Sequence, residues 1–488
     1  MKRIFFLLLI AVILSSMVFV GCKKDSGTTL SFFFFGDKKQ STDQVWSAIA
    51  EKFKDQLNVR YDIQFIAGTD YKDRMLVKLA AGDKWDLNFD GDWLQYYQAV
   101  AMNGYMALDD LLPANAPDLL RNYQSTGFLE AAKVNGKVVA LPWTMVMTNR
   151  PFFQWRGDLI PEVDPSAIKT IEDIEQLLYA LKQRYPDRYI VENVNWEVML
   201  MKNDRIETQF NFAFNPSDPA IRVEHKAETV GYRERARLAE KWQRDGLIWA
   251  DVLIDQLDHN QLIDQGRLIT KFGTYEFALS DRPWVEPNAK WAYNALYSDK
   301  KFHLRTALAN VMAIPRTAQN AALALKFMNI LETSQEMFDL VQYGIEGVTY
   351  VKDSSKPNSV AFPSGMNAAN SNYMEWTSQW ALWKPQFMRG SPQFAEGFWQ
   401  NQRDFAQSMA STIPSPLDGF NFNPEAVVNE IAQMQAIFDA AEKMLDVGLA
   451  GPADRAIDTL IADLNRAGLP AVKAEFQRQV DAWLASKR

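Results

Sequence analysis

The chain has 488 residues, and its 52 basic and 60 acidic side chains give a formal net charge of −8. Recognition of nucleic acid needs a basic surface, so this balance excludes a nucleic-acid partner. A single cysteine excludes an internal disulfide, and the length exceeds what one hydrophobic core holds, which predicts two or three domains.

The first 21 residues predict an export signal, because Lys2 and Arg3 precede an apolar run from Ile4 to Val20. The run ends at Gly21-Cys22 and resembles a bacterial lipoprotein signal. This resemblance implies that residues 1–21 are removed and that Cys22 carries lipid, with acyl chains such as palmitate. The alternative is a retained transmembrane helix, although the run is short for the roughly 20 residues that such a helix needs.

Cleavage before Cys22 would leave 50 basic and 60 acidic side chains, a net charge of −10. Residues 22–29 would be a flexible tether, because they are polar and contain Gly27. The protein would then be lipid-anchored at the extracytoplasmic face of a cell membrane.

The first part of the mature chain alternates strand and helix patterns. Leu30–Phe35 is a continuous apolar run, which is typical of a buried strand in a parallel sheet. Residues 59–65 alternate apolar and polar, Tyr71–Ala81 has helical spacing with Gly82 as its stop, and Trp85–Phe89 alternates again. This order predicts βαβ winding over a parallel sheet.

The rest of the chain is predicted to contain fewer regular elements before a helical end. The expected elements are a hairpin over Val134–Pro142 with Asn-Gly at its turn, a helix over Ile171–Arg184 capped by Thr170, a strand over Leu268–Thr274, a strand over Val311–Ile314, a helix over Thr317–Leu331, and helices over 425–487 with a break at 448–452.

Familiar catalytic and cofactor signatures are missing from the sequence. It has no dinucleotide-binding glycine pattern and no nucleophile elbow, and its three histidines have no metal-binding spacing. Asp86, Asn88, Asp90 and Gly91 match the first half of a calcium loop, but its twelfth position is Tyr97 instead of a glutamate. We therefore expect no cofactor, no metal site and no catalytic residues.

Polar and aromatic residues follow two of the predicted strands. Asp37 comes after the first strand, and Asp90, Asp92 and Trp93 lie at or beyond the end of the Trp85–Phe89 strand. Ligands of open α/β sheets bind beyond the carboxyl ends of strands. Carboxylates accept hydrogen bonds from hydroxyl groups and an indole ring offers a flat apolar face, a combination that suits a sugar. The alternative is that the aspartates cap the next helix and Trp93 packs beneath it.

Several blocks together resemble the extracellular solute-binding lipoproteins of ABC importers, of the family-1 sugar-binding type. The blocks are Met106–Leu112, Val134–Pro142, Ala313–Thr317 with its helix, and Tyr343–Gly347. The last block and the helical end are similar to a subgroup with a C-terminal extension of unassigned function.

This resemblance implies an α/β fold with two lobes of the type II periplasmic-binding-protein kind, a hinge and an interlobe cleft. Lobe I would comprise residues 30–142 and 282–340. Lobe II would comprise residues 143–281 and 341–488, including a helical C-terminal region. Hinge closure over the ligand is the motion expected of such proteins.

The resemblance also implies the site and the partners. By position, ligand contacts are expected from the strand-end residues Asp37, Asp90, Asp92 and Trp93, from the inter-lobe residue Trp143, from Tyr275 and Glu276, and from Trp376 and Trp380. Alanine at Trp93 or Trp143 would weaken binding without altering stability. The partners would be an oligosaccharide and ABC permease subunits, and the chain would be a monomer without enzymatic activity. A secreted carbohydrate-active hydrolase and a receptor for a peptide or another small solute are the alternatives.

Overall fold

The structure is a computed structural model. It describes residues 27–126, 128–134, 136–145, 150–254, 257, 259–274, 285–286, 289–303, 307–392, 394, 398–400, 403, 412–413, 415–417 and 420–486. The predicted signal with Cys22, and the predicted site residues Tyr275 and Glu276, lie outside these residues.

The described part of the chain is mixed α/β. Its strands are β1 (Thr28–Phe35), β2 (Val59–Ile66), β3 (Leu87–Asp90), β4 (Lys133–Val134), β5 (Lys137–Val138), β6 (Leu141–Pro142), β7 (Pro151–Arg156), β8 (Ile206–Glu207), β9 (Phe212–Phe214), β10 (Val223–His225), β11 (Thr270–Thr274), β12 (Trp291–Ala295), β13 (Phe302–His303), β14 (Val311–Ala313), β15 (Val351–Lys352), β16 (Val360–Ala361) and β17 (Thr412–Ile413).

The α-helices are mostly short in the first half of the chain and long at its end. They are α1 (Thr42–Lys52), α2 (Gly68–Ala81), α3 (Tyr96–Ala101), α4 (Leu112–Asn115), α5 (Pro117–Thr126), α6 (Phe128–Ala131), α7 (Ile171–Arg184), α8 (Trp196–Lys202), α9 (Val230–Arg244), α10 (His259–Asp264), α11 (Ala321–Thr333), α12 (Gln335–Tyr343), α13 (Val428–Leu445), α14 (Ala453–Arg466) and α15 (Leu469–Ser486).

A five-stranded sheet in the order β2-β1-β3-β14-β6 organises the first hydrophobic core. Strands β1, β2 and β3 are parallel, as the sequence predicts, whereas β14 and β6 pair antiparallel. Phe32 lies beside Ile63 of β2 and Leu87 of β3, and all three side chains are buried. Each such side chain contributes about 1.5–3 kcal/mol through burial, so this apolar run fixes the position of the strand ends.

The second core lies around two antiparallel sheets, β11-β7-β12 and β10-β9-β8. Helix α7 packs here and begins with a capping box, in which Thr170 and Asp173 each bond the other's backbone N–H. The capping box confirms the predicted start of α7, because it satisfies two of the N–H groups that a helix leaves unpaired.

Helices α13, α14 and α15 pack on the second core and confirm the predicted helical end of the chain. The predicted break at residues 448–452 separates α13 from α14, and a second break at Gly468, with φ 110°, separates α14 from α15. None of the helices in the described ranges combines the length and the apolar character that crossing a bilayer would require.

The two cores divide the chain differently from the predicted lobe ranges. Residues from Tyr343 to Trp399, predicted in lobe II, pack in the first core, where Trp376 meets Phe34 at 5.0 Å between ring centroids. Strand β12, predicted in lobe I, pairs with β7 in the second core. Contacts between residues hundreds of positions apart decide this division, and local sequence patterns carry no information about them.

Candidate functional site

A cavity of about 450 Å³ lies between the two cores. Its walls come from the region around β3 and α3, from the α8–β9 region, and from the C-terminal helices. Its lining residues are Lys72, Asp92, Trp93, Leu94, Tyr97, Gln98, Ala131, Glu197, Leu200, Ile206, Glu207, Thr208, Gln209, Phe210, Asn211, Phe214, Lys226, His303, Leu308, Ser415, Leu417, Phe420, Asn421, Gln435, Asp439 and Glu442. We call this cavity the cleft.

Trp93 presents an aromatic ring to the cleft from just beyond the end of β3. Its indole Nε1 donates a hydrogen bond to the Ala309 carbonyl at 2.8 Å, and its ring makes an edge contact with Phe35 at 5.8 Å. The side chain is nevertheless 47% exposed. It is therefore held in place at one edge while much of the ring stays available to a ligand.

Gly91 allows this placement of Trp93. A Cβ atom at position 91 would lie 2.6 Å from the Ala309 carbonyl oxygen and 2.8 Å from Trp93 Nε1, closer than real Cβ contacts. A larger residue would therefore disturb the hydrogen bond between Trp93 and Ala309. This close approach gives the glycine a role in positioning the ring.

A second aromatic surface, formed by Phe210 on the side of the second core, lies across the cleft from α3. Tyr97 of α3 contacts Phe210, with ring centroids 5.3 Å apart, so the two rings meet across the cleft. Phe210 lies in the 3₁₀ turn Gln209–Asn211, which we call the Phe210 loop. No periodic pattern marks this loop in the sequence, and sequence analysis missed both Tyr97 and Phe210 as site residues.

Carboxylates surround one cation in the deeper part of the cleft. Lys226 Nζ lies 2.6 Å from Glu442 Oε1, and its ammonium group lies over the rings of Trp196, Tyr232 and Phe438. The pKa of Lys226 is raised, because the attraction of Glu442 and Glu207 outweighs the opposite effect of burial. Lys226 therefore stays charged.

Glu207 is a cleft carboxylate whose negative charge the surroundings disfavour. Desolvation by the surrounding protein atoms raises its pKa, although the side chain keeps exposed surface. Lys226 partly offsets this effect, whereas Glu442, Asp92 and Glu197 add to it. The cleft therefore disfavours additional negative charge.

Among the predicted site residues that the structure describes, it brings Asp92 and Trp93 together in the cleft. Asp37 is exposed at the end of β1 and does not line the cavity. Trp380 is half-buried against Phe35 and Phe89.

Trp143, Trp376 and Asp90 are buried on the side of the first core instead. Trp143 stacks on Trp383, with an interplanar angle of 20°, and Trp376 donates its Nε1 hydrogen to the Val341 carbonyl at 3.0 Å. Both indoles are 2% exposed. Neither ring lines the cleft, because each gains more from packing in the core than from exposure, and a ligand contact at these two positions stays a prediction.

Asp90 is the last residue of β3 and has no exposed surface. The Tyr105 hydroxyl and the Gly91 N–H donate hydrogen bonds to its carboxyl group. Desolvation raises the pKa of Asp90 to about 7, although these hydrogen bonds oppose the rise. Asp90 is therefore an interior group and does not line the cleft.

We expect Asp90→Asn to reduce the pH dependence of stability. A folded-state pKa of about 7 lies above the ordinary 3.8, so the stabilising protonated form is lost as pH rises between these values. Ionisation at pH 8 costs the native protein an amount on the order of a few kcal/mol, and the amide avoids that cost. Thermal unfolding midpoints at pH 5 and pH 8 measure the pH dependence of stability, and Asp37→Asn, at an exposed position, is the control. An unchanged pH dependence in Asp90→Asn would contradict the assignment.

No group of three or more histidine, cysteine or acidic side chains suited to a metal ion occurs within the described ranges. What the cleft offers is flat aromatic surface beside amides and carboxylates. Aromatic faces bind the C–H faces of a solute, and the polar groups bind hydroxyl hydrogens.

Comparisons with known proteins bear on this arrangement. The model of a family described as a domain of unknown function, DUF3502, matches residues 416–485. A carbohydrate ABC transporter substrate-binding protein of Streptococcus pneumoniae is 22% identical over 475 residues, which cover 95% of this chain and 93% of that protein.

Two solved structures have a similar fold. The N-glycan transport solute binding protein NgtS from Streptococcus pneumoniae, in complex with Man5GlcNAc, gives a TM-score of 0.76 at 19% identity, covering 94% of this chain and 99% of that one. Alginate-binding protein AlgQ2 without calcium ion gives a TM-score of 0.62 at 17% identity, and the match covers 93% of this chain and 98% of that one. The predicted two-lobe fold and the resemblance to solute-binding proteins of ABC importers are confirmed.

Proposed function

We propose that this chain is the substrate-binding protein of a carbohydrate ABC importer, which captures an oligosaccharide in the cleft and delivers it unchanged to the permease. The observation that carries the proposal is the cleft itself, an aromatic and acidic cavity between two separate cores. The similar S. pneumoniae proteins named for carbohydrate and N-glycan transport support the same assignment.

The size and lining of the cleft suit a sugar ligand. A volume of about 450 Å³ falls within the range of roughly 300–1,000 Å³ that small-molecule sites occupy. The rings of Trp93 and Phe210 offer stacking surfaces, and Gln98 and Asn211 offer amide groups for hydroxyls. Five carboxylates and only two lysines, Lys72 and Lys226, line the cleft, a balance that favours neutral over anionic sugars.

Calorimetric titration tests the proposal. The panel contains neutral glucose-, xylose-, fructose- and mannose-based oligosaccharides, fragments that contain N-acetylglucosamine, uronic acid oligomers and peptides. We expect saturable micromolar binding, about −8 kcal/mol, to at least one neutral oligosaccharide. Binding to none of the panel, or to peptides alone, would contradict the proposal.

A secreted glycoside hydrolase is the second candidate, because the cleft contains several carboxylates and a raised pKa is what a general acid requires. Chromatographic product analysis decides between the two. A binding protein leaves the oligosaccharide intact after long incubation. New reducing ends that disappear in Glu207→Gln would establish hydrolysis and overturn the transport assignment.

We also propose that lipid on Cys22 anchors the protein at the extracytoplasmic face of the membrane, where the permease would receive the ligand. The apolar run that ends at Gly21-Cys22 supports this proposal. Cys22→Ser should leave the membrane fraction and keep its affinity for sugar. Continued sedimentation with membranes would favour an uncleaved helix.

Trp93→Ala should weaken oligosaccharide binding by about 1–3 kcal/mol, because it removes an exposed stacking surface. The ligand-free protein should lose only a small part of its thermal stability, since 47% of the side chain is already exposed. Titration calorimetry and thermal unfolding measure the two effects, and Trp93→Phe should retain part of the affinity. A large fall in melting temperature with unchanged affinity would assign Trp93 to the core.

A further inference from the structure

The C-terminal domain, residues 416–485, is built into the cleft. Gln435, Asp439 and Glu442 of α13 all line the cavity. They are spaced four and three residues apart, so they share one face of the helix. The domain also completes the second core, where the ring of Phe476 stacks on Phe212 at 4.8 Å.

The same domain holds the Phe210 loop in an unusual backbone conformation. Phe210 and Asn211 are consecutive non-glycine residues with φ of 56° and 60°. Left-handed conformations of this kind are unfavourable for residues with a side chain and persist only where the surroundings enforce them. Such strain in a loop that faces a cavity points to a function for that loop.

Hydrogen bonds from the C-terminal domain enforce the conformation. Gln209 Nε2 donates to the Phe420 carbonyl at 2.9 Å, and the Phe422 N–H donates to Gln209 Oε1 at 2.9 Å. Asn211 Nδ2 donates to Gln435 Oε1 at 3.1 Å. Both sides of the strained turn are therefore tied to the segment matched by the family of unknown function.

A line of polar contacts continues from Gln435 to the other core. Gln435 Nε2 donates to Asp439 Oδ1 at 2.6 Å, and Asp439 Oδ2 pairs with Lys72 Nζ of α2 at 2.9 Å. The side chains of this ion pair are 29% and 36% exposed, so water screens the attraction and the pair contributes little to stability. A pair this weak can open and close with the lobes.

We propose that the C-terminal domain is the third wall of the ligand cleft, and that Gln435 is a positioning residue that sets Asn211 and Phe210 against the bound sugar. This inference rests on the proposed function. The ligand would bridge Trp93 and Tyr97, on the side of the first core, to the Phe210 loop, with Asn211 bonding its hydroxyls. The chemical class is a neutral oligosaccharide, because the neighbouring carboxylates repel anions.

Gln435→Leu tests the inference with the panel sugar that the unaltered protein binds most tightly. Loss of the Asn211 contact should raise the dissociation constant about tenfold, the effect of one or two hydrogen bonds. The matched control is Gln433→Leu, which changes the same residue type on the exposed side of α13 and should bind normally. Thermal unfolding without ligand should be similar for both variants.

A reversal variant separates positioning from general damage. In Gln435→Glu the new carboxylate still accepts from Asn211 but repels Asp439, so binding should weaken. Adding Asp439→Asn exchanges the amide and the carboxylate between the two positions. The amide at 439 can then donate to the carboxylate at 435, and the net charge equals that of the unaltered protein. We expect this double variant to recover most of the affinity lost by the single one, and no recovery would contradict the positioning role.

Asn211→Gly keeps the inference testable if Gln435 variants are unstable. Glycine adopts φ near 60° without strain, so the fold is retained while the amide is lost. Affinity should fall severalfold. If Gln435→Leu and Asn211→Gly both bind like the unaltered protein, the proposal that the C-terminal domain forms a wall of the ligand site is wrong, although the transport assignment stands. If the unaltered protein binds no panel sugar, the proposed function itself fails.

Discussion

Trp143→Ala should lower the free energy of unfolding by about 3–5 kcal/mol, the usual cost of deleting a large buried aromatic side chain. The indole is 2% exposed and stacks on Trp383 at 6.3 Å between ring centroids. Its backbone N–H is fixed by the Asn310 carbonyl at 3.0 Å, so the surrounding chain has little freedom to fill the cavity. Urea unfolding followed by circular dichroism measures the loss.

Trp93→Ala is the matched control for this experiment, because it removes the same ring from a half-exposed site on the same core. It should change affinity and cost only a small part of the stability, the opposite outcome to Trp143→Ala. The sequence predicted a ligand contact for both residues. If Trp143→Ala kept its stability and lost its sugar affinity, the predicted ligand contact at Trp143 would be supported, and the placement of this indole in the first core would be wrong.

Local patterns predicted much of the fold because short-range physics decides those elements. The apolar run at Leu30–Phe35 became the buried parallel strand β1, and Thr170 began α7 through a capping box. Gly82 ended α2 in the left-handed conformation. In each case one side-chain property, whether burial, capping or backbone freedom, is enough to specify the outcome.

The site was only partly predictable, for the same reason. Trp93 and Asp92 follow a strand end, and a strand end marks a binding edge in any parallel sheet. Whether a tryptophan faces that edge or the interior depends on distant partners, as Trp376 shows by packing on Phe34. The Phe210 loop and α13 meet in the cleft although more than 200 residues separate them in the sequence.

Lys226→Met should be the most damaging single change at the base of the cleft, lowering the free energy of unfolding by about 3–5 kcal/mol. The Lys226 side chain is 8% exposed and pairs with Glu442 Oε1 at 2.6 Å. Methionine can fill the space beneath the rings of Trp196 and Phe438. It would leave the mostly buried Glu442 with Arg235 at 3.9 Å and the electrostatic effect of Lys72.

The pH dependence of the stability lost in Lys226→Met follows from the ionisation of Glu442. Burial alone would raise the pKa of Glu442, but Lys226 and Arg235 outweigh it and lower that pKa below the ordinary 4.5. The stabilisation is therefore present above pH 4.5 and is lost as pH falls through the lower folded-state value. The difference between Lys226→Met and the unaltered protein should be large at pH 7 and smaller in acid.

A double-mutant cycle with Glu442→Gln distinguishes an ion pair from simple packing. Removing the charge of Glu442 in the Lys226→Met background should recover a large part of the lost stability, because no uncompensated buried anion remains. Urea unfolding at pH 7 gives the coupling free energy, with Lys202→Met at an exposed ion pair on α8 as control, expected to cost at most about 1 kcal/mol. Strictly additive effects at Lys226 and Glu442 would mean that the lysine acts through its contacts with the rings, and the charge assignment at the base of the cleft would be wrong.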